Sequence, residues 1–210
     1  MISMPTPRVV ALCSILALSA CCAAQTFSDV TTGLGMDVQF SSQSIMGGGC
    51  AWFDYNDDGH EDLYITGGQN EDALFRNDGD GTFTNQIFEA GFIQTAEKNT
   101  LGVTTGDIDN DGFREVFITT QNIGLGFNHV ENFLFYNNGD GTFSDITESA
   151  GLIETKWAFS GSFLDVNNDG LLDLFVGNYV EGFEVIFDDF NNPIGFDHQC
   201  YLDDLYVNQG

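Results

Sequence analysis

Short apolar runs alternate along this chain with stretches rich in Asp, Asn and Gly, and the alternation repeats in a fixed order. Residues 50–53, 101–105 and 159–164 each lead into a polar segment, and a second apolar run follows at once, over 63–66, 116–119 and 174–177. Two strand-length runs joined by a compact turn-forming segment predict a β-hairpin, so the pattern predicts three of them. A second motif follows. Residues 74–91 (LFRNDGDGTFTNQIFEAG) and 134–151 (LFYNNGDGTFSDITESAG) are near copies, each joining two further strands through an Asn/Asp/Gly turn that accepts positive φ. Its opening returns at 205–210 (LYVNQG), and its closing part at 26–35 (TFSDVTTGLG), where a strand is expected over 26–30 as the last strand of a repeat. Helical periodicity is weak, and alternations such as Phe133, Phe135 and Leu172, Leu174 read as inward-facing strand positions.

The polar segments inside the three hairpins carry the candidate chemistry. They read DYNDDGHED over 54–62, DIDNDGFRE over 107–115 and DVNNDGLLD over 165–173. Each has Asp at position 1, Asp or Asn at 3, Asp at 5, Gly at 6 and a carboxylate at 9, an order of oxygen donors that wraps a hard cation such as calcium. Such an ion takes six to eight oxygens at about 2.3–2.6 Å, and a tightly curled loop turns alternate side chains inward to supply them. Gly59, Gly112 and Gly170 stand at the sharp bend, where positive φ is easy only without a Cβ. Position 7 gives a backbone carbonyl, so the side chains of His60, Phe113 and Leu171 are expected to be free. Without a cation, several carboxylates a few ångströms apart would repel one another.

Periodicity sets the architecture. The loops begin 53 and 58 residues apart, and each step has room for about four short strands. That is the size of a β-propeller blade, which buries its faces only against neighbouring blades. The expected fold is all-β, with about three four-stranded blades. Three are fewer than a closed propeller uses, so the chain is expected to be an amino-terminal fragment of a longer protein.

The runs GGGCAWFDYNDDGHEDLYITGG, GVTTGDIDNDGFREVFITT and SGSFLDVNNDGLLDLFVGN resemble FG-GAP or VCBS-type repeats, the calcium-bearing blades also found in integrin α-subunit propellers. The segments NDGDGTF and NNGDGTFSDIT resemble bacterial relatives of the cartilage acidic protein family. The resemblance covers about residues 26–210. It implies a seven- or eight-bladed extracellular propeller, often followed by a carboxy-terminal ASPIC/UnbV module, with binding or adhesion roles. Carried over by motif position, the ligands would be Asp54, Asn56, Asp58 and Asp62; Asp107, Asp109, Asp111 and Glu115; and Asp165, Asn167, Asp169 and Asp173. The sequence departs from the pattern in having Asn at position 3 of the first and third loops and Glu at position 9 of the second. About three calcium ions are expected, one per loop, with the middle loop, whose ligand set has the most carboxylates, binding tightest.

Residues 1–24 look like a leader. Arg8 precedes the apolar run 9–18, which is too short to span a membrane and typical of a secretory signal. Leu18-Ser19-Ala20-Cys21 also resembles a lipobox, which would place a lipid on Cys21, whereas a cut after Ala24 would release a soluble protein. Export to the cell envelope or beyond is expected either way, with any membrane attachment through that lipid. Cys50 and Cys200 remain beyond the leader, as a disulfide or as two free thiols; Cys50 opens a run expected to be buried.

The formal net charge is −27, from 32 acidic and 5 basic residues, and the three loops hold twelve of the acids. That field repels nucleic acid and anionic membrane surfaces. Residues 178–202 form an insertion carrying aromatics with Asp188, Asp189, His198 and Cys200, and are expected as a surface loop suited to a glycan or protein partner. His60, His129 and His198 accompany no nucleophile motif, and Ser160-Gly161-Ser162 lacks the flanks of a nucleophile elbow. The expected function is non-catalytic binding or adhesion outside the cell; the alternative is a calcium-dependent carbohydrate-active enzyme, lyase-like, in which the ion acidifies a sugar proton.

Overall fold

The computed structural model describes residues 26–41, 47–121, 131–153 and 156–210. The expected leader with Cys21, and likewise His129, lie outside them. The chain divides into two units, 1–30 and 31–210. Within the first, residues 26–30 carry no strand, contrary to the expectation from their likeness to the second motif. Phe27 there is 95% exposed, so the apolar residue expected to anchor a strand is not buried.

The second unit is built from antiparallel sheets. β1 (Cys50–Phe53), β2 (Asp62–Ile65), β3 (Ala73–Asn77) and β4 (Phe83–Asn85) form one four-stranded sheet in chain order. β5 (Asn99–Gly106), β6 (Glu115–Gln121), β7 (Phe133–Asn137) and β8 (Phe143–Asp145) repeat it. β9 (Ala158–Leu164) and β10 (Asp173–Asn178) begin a third copy, which β13 (Asp204–Tyr206) extends as the third strand. These are blade-like sheets, and among the described residues they do not close into a ring. The predicted hairpins share one register: Phe53 pairs with Asp62, Gly106 with Glu115 and Leu164 with Asp173, so each acidic loop spans the same two strand ends.

The insertion is a hairpin rather than a loop. β11 (Val180–Phe187) and β12 (Pro193–Cys200) pair with each other and form a separate two-stranded sheet. Its turn is ordered by Asp188, whose Oδ1 accepts the N–H groups of Phe190 at 2.9 Å and Asn192 at 2.8 Å, with Asn191 left-handed at φ 65°. Cys50 and Cys200 are both exposed free thiols, so no disulfide forms between them and the opening of β1 is not buried.

Apolar side chains pack between consecutive sheets. Phe53, Tyr64 and Leu74 of the first sheet, with Tyr55 of its acidic loop, meet Val116, Ile118, Phe133 and Phe135 of the second. Ile87, Ala90 and Phe92, from the segment after β4, fill the space between them. The Phe92 ring lies 4.6 Å from Phe135, 4.7 Å from Phe143 and 5.0 Å from Tyr64, and burial of such a ring contributes about 2–3 kcal/mol. The next layer repeats the scheme, with Phe117 and Leu134 set against Ala158, Leu174 and Val176, and Leu152 between. On the third sheet the positions equivalent to Phe53, Tyr55, Tyr64 and Leu74 are Leu164, Val166, Phe175 and Leu205, all of them exposed. Among the described residues, no helix is long and apolar enough to cross a membrane.

Candidate metal centre

Each acidic loop coils around its own side chains. The N–H of Gly59, Gly112 and Gly170 donates to Oδ2 of the position-1 Asp at 2.8, 3.1 and 3.0 Å, which closes the bend. All three glycines have positive φ, at 85°, 96° and 90°. Asp57, Asn110 and Asn168 at position 4 are also left-handed, at 56°, 62° and 61°, a conformation that short Asp and Asn side chains tolerate. The position-5 N–H donates to Oδ1 at position 3, at 3.3 Å for Asp58 to Asn56, 3.2 Å for Asp111 to Asp109 and 2.9 Å for Asp169 to Asn167. The N–H of His60, Phe113 and Leu171 then donates to Oδ1 of the position-5 Asp at 2.9, 2.8 and 2.9 Å. Main-chain donors therefore set the inward order of side chains in every copy.

The last carboxylate has a further task. Asp62, Glu115 and Asp173 are fully buried. Asp62 accepts the N–H of Tyr55 at 3.1 Å and of Asn77 at 2.7 Å; Glu115 accepts those of Ile108 at 2.9 Å and Asn137 at 3.4 Å; Asp173 accepts those of Val166 at 2.9 Å and Asn208 at 2.8 Å. It thus clips loop position 2 to the end of the blade's third strand. A carboxylate oxygen has two acceptor sites, so this use leaves room for a cation. Burial, more than the neighbouring acids, pushes Asp62 up to about 6 and Glu115 up to about 7, and the main-chain donors pull in the opposite direction.

Asn77, Asn137 and Asn208 complete the device, and sequence reasoning missed them. The Asn137 side chain donates to the Tyr55 carbonyl at 2.9 Å, and that of Asn208 to the Ile108 carbonyl at 2.8 Å, so each ties its own blade to the loop of the blade before. Asn110 adds a loop-to-loop bond to the Gly170 carbonyl at 2.8 Å. The signal is the Asn repeated in LFRN, LFYN and LYVN, which in the sequence reads only as part of a turn motif. Position 7 also differs from expectation. A Cβ placed on Gly79 would meet His60 Nε2 at 2.5 Å, and one on Gly139 would meet the Phe113 ring at 3.0 Å. A Cβ on the equivalent Gly210 would meet Leu171 Cδ1 at 3.7 Å, so all three position-7 side chains lie against the turn glycine after the third strand, the first two more tightly.

The loops are not equivalent as ion sites. In the first and third, the position-5 N–H also donates to Oδ1 of the position-1 Asp, at 3.1 Å for Asp54 and 3.2 Å for Asp165. In the middle loop, Asp107 Oδ1 is buried and has no hydrogen-bond partner. Ligand atoms of Asp107, Asp109 and Glu115 lie within 4.8 Å of one another, which among the described residues is the sole grouping of three potential ligands. The Tyr136 hydroxyl stands over this loop, 3.2 Å from both Asp109 Oδ2 and Asp111 Oδ2, and the charge of Asp109 first of all pushes it up to about 12. A buried acceptor without a donor costs about 1–3 kcal/mol. An orphaned carboxylate oxygen amid two further carboxylates fits a divalent cation.

The FG-GAP-like repeat family matches residues 54–118 and 123–176, more than half of the chain. Cartilage acidic protein 1 from Xenopus tropicalis and from Homo sapiens are each 37% identical to it over 79 residues, and the Mus musculus protein is 35% identical over the same length. The aligned stretch covers 37% of this chain and 11% of each relative.

Proposed function

This chain belongs to the FG-GAP-like repeat family, and from that premise we propose that it is an exported, non-catalytic binding module whose blades are organised by calcium. The observation that carries the calcium reading is the middle loop, where Asp107 Oδ1 is buried without a donor beside Asp109 and Glu115. There Asp107, Asp109, Asp111 and Glu115, with the Phe113 carbonyl, would hold the ion; Asp54, Asn56, Asp58 and Asp62 with the His60 carbonyl, and Asp165, Asn167, Asp169 and Asp173 with the Leu171 carbonyl, would serve the outer loops. A bound cation supplies the positive charge that these carboxylates lack. The protein's own part is to present the oxygens in a fixed order and to carry the resulting rigidity into the sheets through Asn77, Asn137 and Asn208.

The partner is an extracellular protein or glycan, and the exposed tip of the β11–β12 hairpin, with Phe187 and Phe190 beside Asp188 and Asp189, supports that reading. Isothermal titration of the chelator-treated chain tests the ion reading. It should show calcium binding, with the tightest site lost in Asp107→Asn, and magnesium should bind more weakly because it demands a near-ideal octahedron and sheds water reluctantly. No calcium heat at millimolar concentration would remove the proposal.

A further inference from the structure

The middle loop differs from its neighbours at one further point. In the first loop Asn56 Nδ2 donates to Asp58 Oδ2 at 3.0 Å, and in the third Asn167 Nδ2 donates to Asp169 Oδ2 at 2.8 Å. The position-3 amide thereby binds the outer oxygen of position 5 and fixes two ligand side chains against each other. Position 3 of the middle loop is Asp109, an acceptor with nothing to donate when ionised, so the same contact there would set two carboxylate oxygens together. Tyr136 supplies the missing proton, its hydroxyl lying 3.2 Å from Oδ2 of both Asp109 and Asp111. The equivalent strand positions do no such thing elsewhere. Arg76 turns to Asp78, with Nε at 2.9 Å and Nη2 at 2.6 Å, and Val207 has no side-chain donor.

We propose that Tyr136 is the positioning residue of the middle loop, where its hydroxyl bridges positions 3 and 5 in place of the Asn amide used in the other two loops. The exchange lets this loop carry a fourth carboxylate without splaying open. Oδ1 of Asp109 and Oδ1 of Asp111 each already accept a main-chain N–H, so the bridge falls on the two oxygens that those contacts leave unused. The consequence for affinity rests on the calcium reading, whereas the consequence for the cation-free loop does not.

A double-mutant cycle of Tyr136→Phe and Asp109→Asn separates the two. The first change keeps the ring and removes only the hydroxyl; the second restores at position 3 the amide donor that Asn56 and Asn167 provide in the outer loops. Calorimetric titration should show Tyr136→Phe weakening the tightest calcium site about three- to tenfold, the scale of one solvent-facing hydrogen bond to a charged group. In the Asp109→Asn background the same change should cost less than about twofold. In excess chelator, Tyr136→Phe should lower the melting temperature by about 3–5 °C in the wild-type chain and by under about 1 °C in Asp109→Asn. Equal effects of Tyr136→Phe in the two backgrounds, or unchanged or tighter calcium binding in the single variant, would overturn the assignment. A wild-type chain that takes up no calcium would sink the functional reading alone, because the melting cycle in chelator still decides the role of Tyr136.

Discussion

Asn137 does more than its neighbours in a turn motif suggest. It is fully buried, its amide donates to the Tyr55 carbonyl, its Oδ1 accepts the Gly139 N–H at 3.0 Å, and its own N–H reaches Glu115. Asn137→Ala would leave a buried carbonyl of the preceding loop without its donor and remove the turn bond as well. The expected loss is about 2–4 kcal/mol by chemical denaturation. Asn77→Ala should cost about 1 kcal/mol, because Asn77 makes the equivalent turn bond to the Gly79 N–H at 3.1 Å but its amide otherwise reaches only the Glu61 carbonyl of its own blade, in a long, exposed bond at 3.3 Å. Equal losses in the two variants would contradict the inter-blade role. These Asn residues were hard to read from sequence because their partners lie far along the chain, whereas the acidic loops are local objects whose donors and acceptors fall within nine residues. The same locality hid the second use of Asp62, Glu115 and Asp173, which looked like ordinary ligands until the third strands came up beside them.

At the scale of elements, one buried network joins the first blade to the strand that opens the second. Asp72 is buried between β2 and β3 and accepts the Tyr64 hydroxyl at 2.7 Å, the Thr100 hydroxyl at 2.5 Å and the Gly67 N–H at 2.7 Å. Burial, only partly offset by these donors, raises Asp72 above its ordinary 3.8. A carboxyl raised on folding contributes stability that is present below its unfolded value and is lost as pH rises through the folded one. Asp72→Asn keeps the shape and cannot ionise, so in chelator its stability should change less than that of the wild-type chain as pH rises from about 4 towards 7. Parallel pH profiles for the two proteins would show that Asp72 is not the group responsible. The hairpins of the acidic loops were legible because fixed loop length leaves the flanking runs a single register. Residues 26–30 misled because a strand needs an edge to pair with, and likeness of sequence does not supply one. The insertion misled in the opposite sense: its length suggested a loop, but the strand-length run before Asp188 and the tight Asx-ordered turn can pair strands on their own.

For the molecule as a whole, the repeat spacing gave the blade-like sheets and their chain order, while their stacking rests on side chains that alternate faces along each strand. Phe53, Tyr55, Tyr64 and Leu74 are buried because a second sheet covers them, and Leu164, Val166, Phe175 and Leu205 are exposed at the same positions of the third. The net charge of −27 adds a second global term, for it concentrates repulsion in loops that all lie at equivalent ends of the strands. A ligand that binds only the folded state stabilises it by about 4 kcal/mol at a thousandfold excess over Kd. The most direct measurement is therefore thermal unfolding of the wild-type chain and Asp107→Asn, each in excess chelator and in millimolar calcium. Calcium should raise the wild-type melting temperature by about 5–10 °C and shift Asp107→Asn by clearly less. Superimposable wild-type melts with and without calcium would contradict the claim that cations hold these blades together.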